Sequence, residues 1–153
     1  MRLAIRHLRM SRLLLKSGFA DGAMFHAYHA YECSLSAFIA ASGYFVPPNG
    51  WDAIEDPHTK KVIRYYPSPT GPFKEGSAHK ARAILFDRLA DRTKPYYRTF
   101  TLLSPGLSVA IRNDTLYYDV KNQSLPQQQY DAAYVRQLCP KVHQFVGEIR
   151  ASM

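Results

Sequence analysis

Residues 21–42, DGAMFHAYHAYECSLSAFIAAS, carry two apolar stripes on one helical repeat. Met24, Tyr28, Tyr31, Leu35 and Phe38 recur by fours and threes. Ala23, Ala27, Ala30, Ser34, Ala37 and Ala41 form a second, small-residue stripe about 100° away at 3.6 residues per turn. Large side chains fill the space to one neighbour, while the alanine side lets another backbone come close. A helix with two such faces belongs at the centre of a bundle. Asp21 suits its N-terminal cap and Gly43 its end.

The rest of the chain supplies partners for it. Residues 2–17 read as an amphipathic helix stopped by Gly18. Leu3, Met10, Leu14 and Ala4, Leu8, Leu15 fall on one broad side, and Arg2, Arg6, Arg9, Arg12 and Lys16 largely on the other. A third helix is expected over 77–94, with Ser77 as cap and Ala81, Leu85, Phe86 and Leu89 inward. Pro95 marks a break before a helix through YYRTFTLL, and Ser104-Pro105 reads as cap and first turn of a short helix ending at Arg112. The last helix spans about 127–151, where Val135, Leu138, Val142, Phe145 and Ile149 form a seam for the bundle or for a partner. Pro140 should kink or split it. With no convincing strand pair, the expected fold is all-α: one domain over 1–153, an up-and-down bundle of four to five main helices with a long Pro-rich insertion between helices two and three.

That insertion, residues 43–76, holds six of the ten prolines together with Gly50, Gly71 and Gly76. A connection of this length in a compact domain points to function or mobility. Lys60, Lys61, Arg64 and Lys74 interleave there with Tyr65, Tyr66 and Phe73. Basic and aromatic residues together suit phosphate neutralisation and base stacking. A surface loop pinned by aromatic anchors accounts for them equally well.

Composition narrows the classes of function. The formal net charge is +8, which attracts phosphate-rich partners or acidic proteins without specifying chemistry. No apolar run nears the roughly 20 residues of a membrane span, and the arginines before LLLK are not followed by a signal-peptide core. The expectation is a cytoplasmic protein with no membrane partner. Cys33 and Cys139 stand apart from each other and from any Cys/His cluster, so both read as buried small apolar groups.

His26, His29 and Glu32 invite a metal test, since residues three apart lie about 60° apart around a helix. A di-iron bundle needs Glu-x-x-His on paired helices, and the one literal match, Glu55 to His58, is broken by Pro57. A polar contact between His29 and Glu32 is the default reading, with no metal and no cofactor. No Walker, GxGxxG, GxSxG or HExxH motif occurs.

IRNDTLYYD, residues 111–119, is the remaining candidate. Arg112 offers a five-donor fork suited to phosphate or carboxylate, Asn113 can orient a neighbour, and Tyr117 and Tyr118 present hydroxyls and flat faces. The plain alternative is a helix-end arginine paired with Asp114 or Asp119.

Taken together, LLLKSGFADGAMFHAYHAYECSLSAFIAASGY, SAHKARAILFDRLADR and IRNDTLYYD resemble the successive pieces of a HEPN domain (higher eukaryotes and prokaryotes nucleotide-binding), over about residues 3–119. The resemblance implies a small helical bundle of toxin-antitoxin and antiviral systems. Active members are metal-independent ribonucleases whose Arg-polar-xxx-His motifs meet at a dimer cleft. Arg112 and Asn113 match its first two positions, but Tyr117 stands in the histidine slot. A phenol with a pKa near 10 is a poor base at neutral pH. A literal Arg-x4-His, Arg2 to His7, opens the first helix instead and is read as coincidence.

Three functions follow. The first is a dimeric HEPN-type module that binds RNA, nucleotide or a cognate protein, with degraded or absent nuclease chemistry. Arg112, Tyr118, Lys60, Lys61, Arg64 and Tyr65 would bind, and a cognate nucleotidyltransferase or antitoxin is a possible partner. The alternative is an active ribonuclease using Arg112, Asn113 and Tyr117, or a substitute histidine such as His79. The third is an interaction protein docking through the Val135–Ile149 seam.

Overall fold

The computed structural model describes residues 1–44, 54–55, 62–64, 78–107 and 130–153, with backbone alone for 54–55, 62–64 and 78–81. Five α-helices are described: α1 (Arg2–Lys16), α2 (Ala20–Ala41), α3 (Ala78–Leu89), α4 (Pro95–Leu103) and α5 (Ala132–Ser152). They form an up-and-down bundle, with the Pro-rich stretch inserted between α2 and α3 as expected. One local difference is a short antiparallel ladder, β1 (Ile54–Glu55) with β2 (Val62–Arg64), where no strand pair was expected. Ile54, Val62 and Ile63 are β-branched, which favours extended backbone even over so few residues.

α2 is the central helix. It packs against α1, α3 and α5, with the large-residue stripe and the small-residue stripe from Ala23 to Ser34 inside, Ala37 half-buried and Ala41 exposed. Ala23, Ala27 and Ala30 are fully buried on the small-residue side, and Met24, Tyr28, Tyr31, Leu35 and Phe38 on the large. Phe86 of α3 gathers the rings around it. Its centroid lies 4.9 Å from Phe38, 4.7 Å from Phe100, 5.8 Å from Phe145 and 6.0 Å from Tyr96. The seam of α5 (Val135, Leu138, Val142, Phe145, Ile149) is buried in the same core. It therefore serves the bundle, and its use as a docking seam for a partner is overturned.

α1 and α2 are joined by three residues, Ser17 to Phe19. Gly18 takes a φ of 83°, which an L side chain resists. The Phe19 N–H then donates to the Leu14 carbonyl at 2.9 Å and the Gly18 N–H to Leu15 at 3.3 Å. These two bonds make a Schellman ending, which reverses the chain into an antiparallel hairpin. Gly43 closes α2 in the same way, through Tyr44 to Ile39 and Gly43 to Ala40. The α2 N-terminus has Phe19 at its cap position and no side-chain cap; Asp21 lies in the first turn instead.

α1 is rotated relative to the expected amphipathic split. Ala4, Leu8 and Ser11 face inward, whereas Leu3 and Met10 are exposed. Ser11 is tolerated at that depth because its hydroxyl donates to the Ala23 carbonyl at 2.7 Å and lies 3.2 Å from Cys139 Sγ. One small polar residue thus ties α1, α2 and α5 at a single point. Cys139 is buried as expected, Cys33 half so, and both are free thiols.

Three boundaries move for local reasons. α3 ends at Leu89, short of 94, because Asp91 Oδ1 takes the Thr93 N–H (2.9 Å) and hydroxyl (2.7 Å) in a turn that competes with helix. α5 starts at Ala132 under an Asp131 cap that accepts from the Ala133 N–H at 3.0 Å. It then runs unbroken through Pro140, so it is not split there. Pro140 is exposed, so the Arg136 carbonyl it leaves without a helical donor lies on the solvent side. After α4, Ser104–Gly106 form a single 3-10 turn, and the rest of the expected helix to Arg112 lies outside the described residues.

Truncating the ring at the centre of the core tests this packing. Phe86→Ala should lower stability by about 3–5 kcal/mol, and overpacking the close face with Ala27→Leu by about 1–3 kcal/mol. Both are read as shifts of the denaturant midpoint by circular dichroism.

Candidate functional site: a basic groove and a histidine cluster

The motif residues Arg112, Asn113, Tyr117 and Tyr118, and the loop residues Lys60, Lys61 and Tyr65, lie outside the described residues. Arg64 is placed by its backbone only, at the end of β2. The described part brings other cations together. Between α4 and α5 lies a groove of about 630 Å³ lined by Arg92, Thr93, Lys94, Arg98, Lys141, Gln144 and Glu148, among others. Four cations thus face one carboxylate.

Local folding explains how they converge. The Asp91–Thr93 turn that stops α3 places Arg92 and Lys94 just ahead of Pro95, and Arg98 follows one turn into α4. Lys141 arrives from α5, which packs along α4. The Tyr97 hydroxyl donates to Asp87, a bond that pushes the phenol pKa up. Asp87 also lies 3.5 Å from Arg92, whose guanidinium sits 5.6 Å from the Tyr97 ring centroid. Arg92 is therefore steered at the groove mouth by a charge and a ring face. Glu148, the one acid, accepts from Gln144 Nε2 at 2.8 Å. The N-terminus of α4 borders the groove and adds the positive end of its dipole.

Arg92, Lys94 and Arg98 were not singled out in the sequence, although their closeness along the chain is a signal that could have pointed to them. Their meeting with Lys141 has no such signal, because only the α4–α5 packing makes it.

A second polar cluster lies across α1, α2 and α3. His7 Nδ1 and His26 Nδ1 are 2.8 Å apart, so one ring donates and the other accepts. His29 stacks on His7 with centroids 5.2 Å apart, and Phe25 closes edge-on against His29 at 4.3 Å. His29 Nδ1 reaches Glu32 Oε2 at 4.0 Å, the polar contact expected from their spacing. Glu32, buried, also takes Arg82 Nη1 of α3 at 3.4 Å. Among the described residues no group of three or more His, Cys, Asp or Glu could hold a metal ion.

Burial, reinforced by the neighbouring Arg6, lowers the pKa of His7. Burial and then His7 itself lower that of His26. On α5, His143 Nδ1 accepts from Arg12 Nη2 at 2.7 Å, and burial followed by Arg12 lowers its pKa too. All three imidazoles are neutral partners by construction. The cluster has a structural account, and the groove is the better candidate for a ligand.

Comparisons with protein-family profiles, with curated proteins and with solved structures find no match for this chain.

The histidines give a pH dependence of defined sign. With folded pKa values below the ordinary 6.5, the unfolded chain binds protons more readily as pH falls through that value. Stability should be level above about pH 7 and decline as pH drops below about 6.5. Thermal melts across this range check it, and His7→Asn with His143→Asn should flatten the decline. An unchanged slope in that double variant would remove His7 and His143 as its source.

Proposed function

We propose that this protein is a HEPN-type helical module that binds single-stranded RNA or nucleotide through its phosphates, without relying on nuclease chemistry. The observation that carries the reading is the α4–α5 groove, where Arg92, Lys94, Arg98 and Lys141 line one concave surface with Glu148 as its one acidic lining residue, Arg92 being also paired with Asp87 at its edge. Guanidinium groups hold phosphate oxygens in pairs and ammonium groups act as point charges, so the set suits a phosphodiester backbone. Gln144 on the same wall, with one amide hydrogen given to Glu148, keeps a second for a phosphate oxygen. The five-helix bundle with its basic net charge is consistent with the family resemblance.

In this reading Arg112, Asn113, Tyr117 and Tyr118 also take part in binding, and two copies pair to bring their motifs together. Lys60, Lys61, Arg64 and Tyr65 contribute further charge and stacking. Tyr117 in place of a histidine leaves the site without an ordinary proton-transfer group at that position.

The test is fluorescence titration of a short single-stranded RNA at several salt concentrations. Affinity should fall steeply with salt, and Arg98→Glu with Lys141→Glu should weaken binding at least about tenfold. Replacing two phosphate contacts should also reduce the logarithmic salt slope by about 1.4. No binding at about 50 mM salt would end the RNA reading. Cleavage of the RNA without added metal, abolished by Arg112→Ala, would instead make the protein a ribonuclease.

A further inference from the structure

The outer face of α1 carries a pattern the groove does not use. Leu3 is 53% exposed, Met10 37% and Leu13 58%, on a helix whose inner face already packs on α2 and α5. At 100° per residue, Leu3 and Met10 lie about 20° apart and Leu13 about 60° beyond, so the three form one stripe. Arg6 falls between Met10 and Leu13, and Arg2, Arg9 and Lys16 follow within about a further 60°. All four cations are exposed, and no acidic residue occurs in α1. Three of these arginines, with Ile5 and Met10, line a shallow hollow of about 420 Å³. In the turn that follows this helix, Phe19 is 63% exposed.

We infer that this face of α1 docks peripherally on an anionic lipid surface. Each competing occupant fails on one of these features. A second copy would set Arg2, Arg6, Arg9 and Lys16 against their own equivalents. An RNA backbone would satisfy the arginines but gives no return for burying leucine and methionine. A helix-sized protein groove would need α1 to enter it, and α2 and α5 already hold its inner side. A bilayer interface imposes no fixed shape. It takes up Leu3, Met10 and Leu13 at the acyl boundary while the arginines reach phosphate headgroups around the hollow. No described helix is long and apolar enough to cross a membrane, so the contact lies on the surface and does not span it. The expectation of no membrane partner rested on the missing span and the missing signal-peptide core, neither of which bears on surface docking.

Vesicle co-sedimentation tests the inference. The full chain should pellet with vesicles of equal parts phosphatidylcholine and phosphatidylglycerol, and not with phosphatidylcholine alone. Leu3→Ser with Leu13→Ser should weaken this about tenfold or more, and so should Arg2→Gln with Arg6→Gln and Arg9→Gln. These positions are exposed, and an unchanged thermal melt confirms the fold. The groove variant carrying Arg98→Glu and Lys141→Glu should pellet as the parent does, separating this face from the RNA reading. Absence of pelleting at low salt overturns the inference. So does pelleting that ignores the leucine substitutions, since that is attraction by bulk charge. Loss of RNA binding in the leucine variant, with no effect on vesicles, would give the face to RNA and overturn it equally.

Discussion

Everything in this bundle depends on burying α2. A helix enclosed by α1, α3 and α5 must satisfy each polar group it takes inside, or leave it desolvated at a cost of about 1–3 kcal/mol. Ser34 returns its hydroxyl to the Ala30 carbonyl at 2.8 Å. Glu32 is met by Arg82 from one side and His29 from the other. Ala23 lends its carbonyl to Ser11 of α1. Two of these contacts stay within α2, and two leave it, to Ser11 of α1 and Arg82 of α3, so the polar requirements of α2 also help to fix the register of those two neighbours. The alanine face brings α1 near enough for the Ser11 bond, and the aromatic face leaves room for Phe86 and Phe145.

How much of this was legible follows from where the information sits. The two stripes of α2 lie within one segment, so its central place could be read from spacing. The α5 seam and the glycine stops are local for the same reason. The inward face of α1 was not readable. A helix with leucines on most of its circumference offers several choices of buried side, and the choice is made by Ser11 meeting Ala23 and Cys139. The end of α3 was missed because an Asp-x-Thr turn outcompetes a pattern that otherwise continues.

The candidate site divides along the same line. The contact between His29 and Glu32 is three residues long and was anticipated. The His7–His26 and Arg12–His143 contacts join different helices, and no spacing rule reaches across them. The groove was missed: three of its cations lie close together in the chain but were not read as a site, and the fourth comes from a helix more than forty positions further on. The motif around Arg112 and the aromatic-basic stretch around Lys60 lie outside the described residues, so their standing rests on the sequence.

The three-residue turn at Gly18 has a bearing on how the chain finds its fold. Ser11 reaches Ala23 across 12 residues but Cys139 across 128. Loop-closure entropy grows with the logarithm of length, so the second contact is harder to form by about 2 kcal/mol. Pairing α1 with α2 through the three-residue turn therefore costs less chain entropy than seating α5 against them. Contacts local in sequence favour fast folding, so the α1–α2 hairpin works towards speed and the distant contact to α5 works against it.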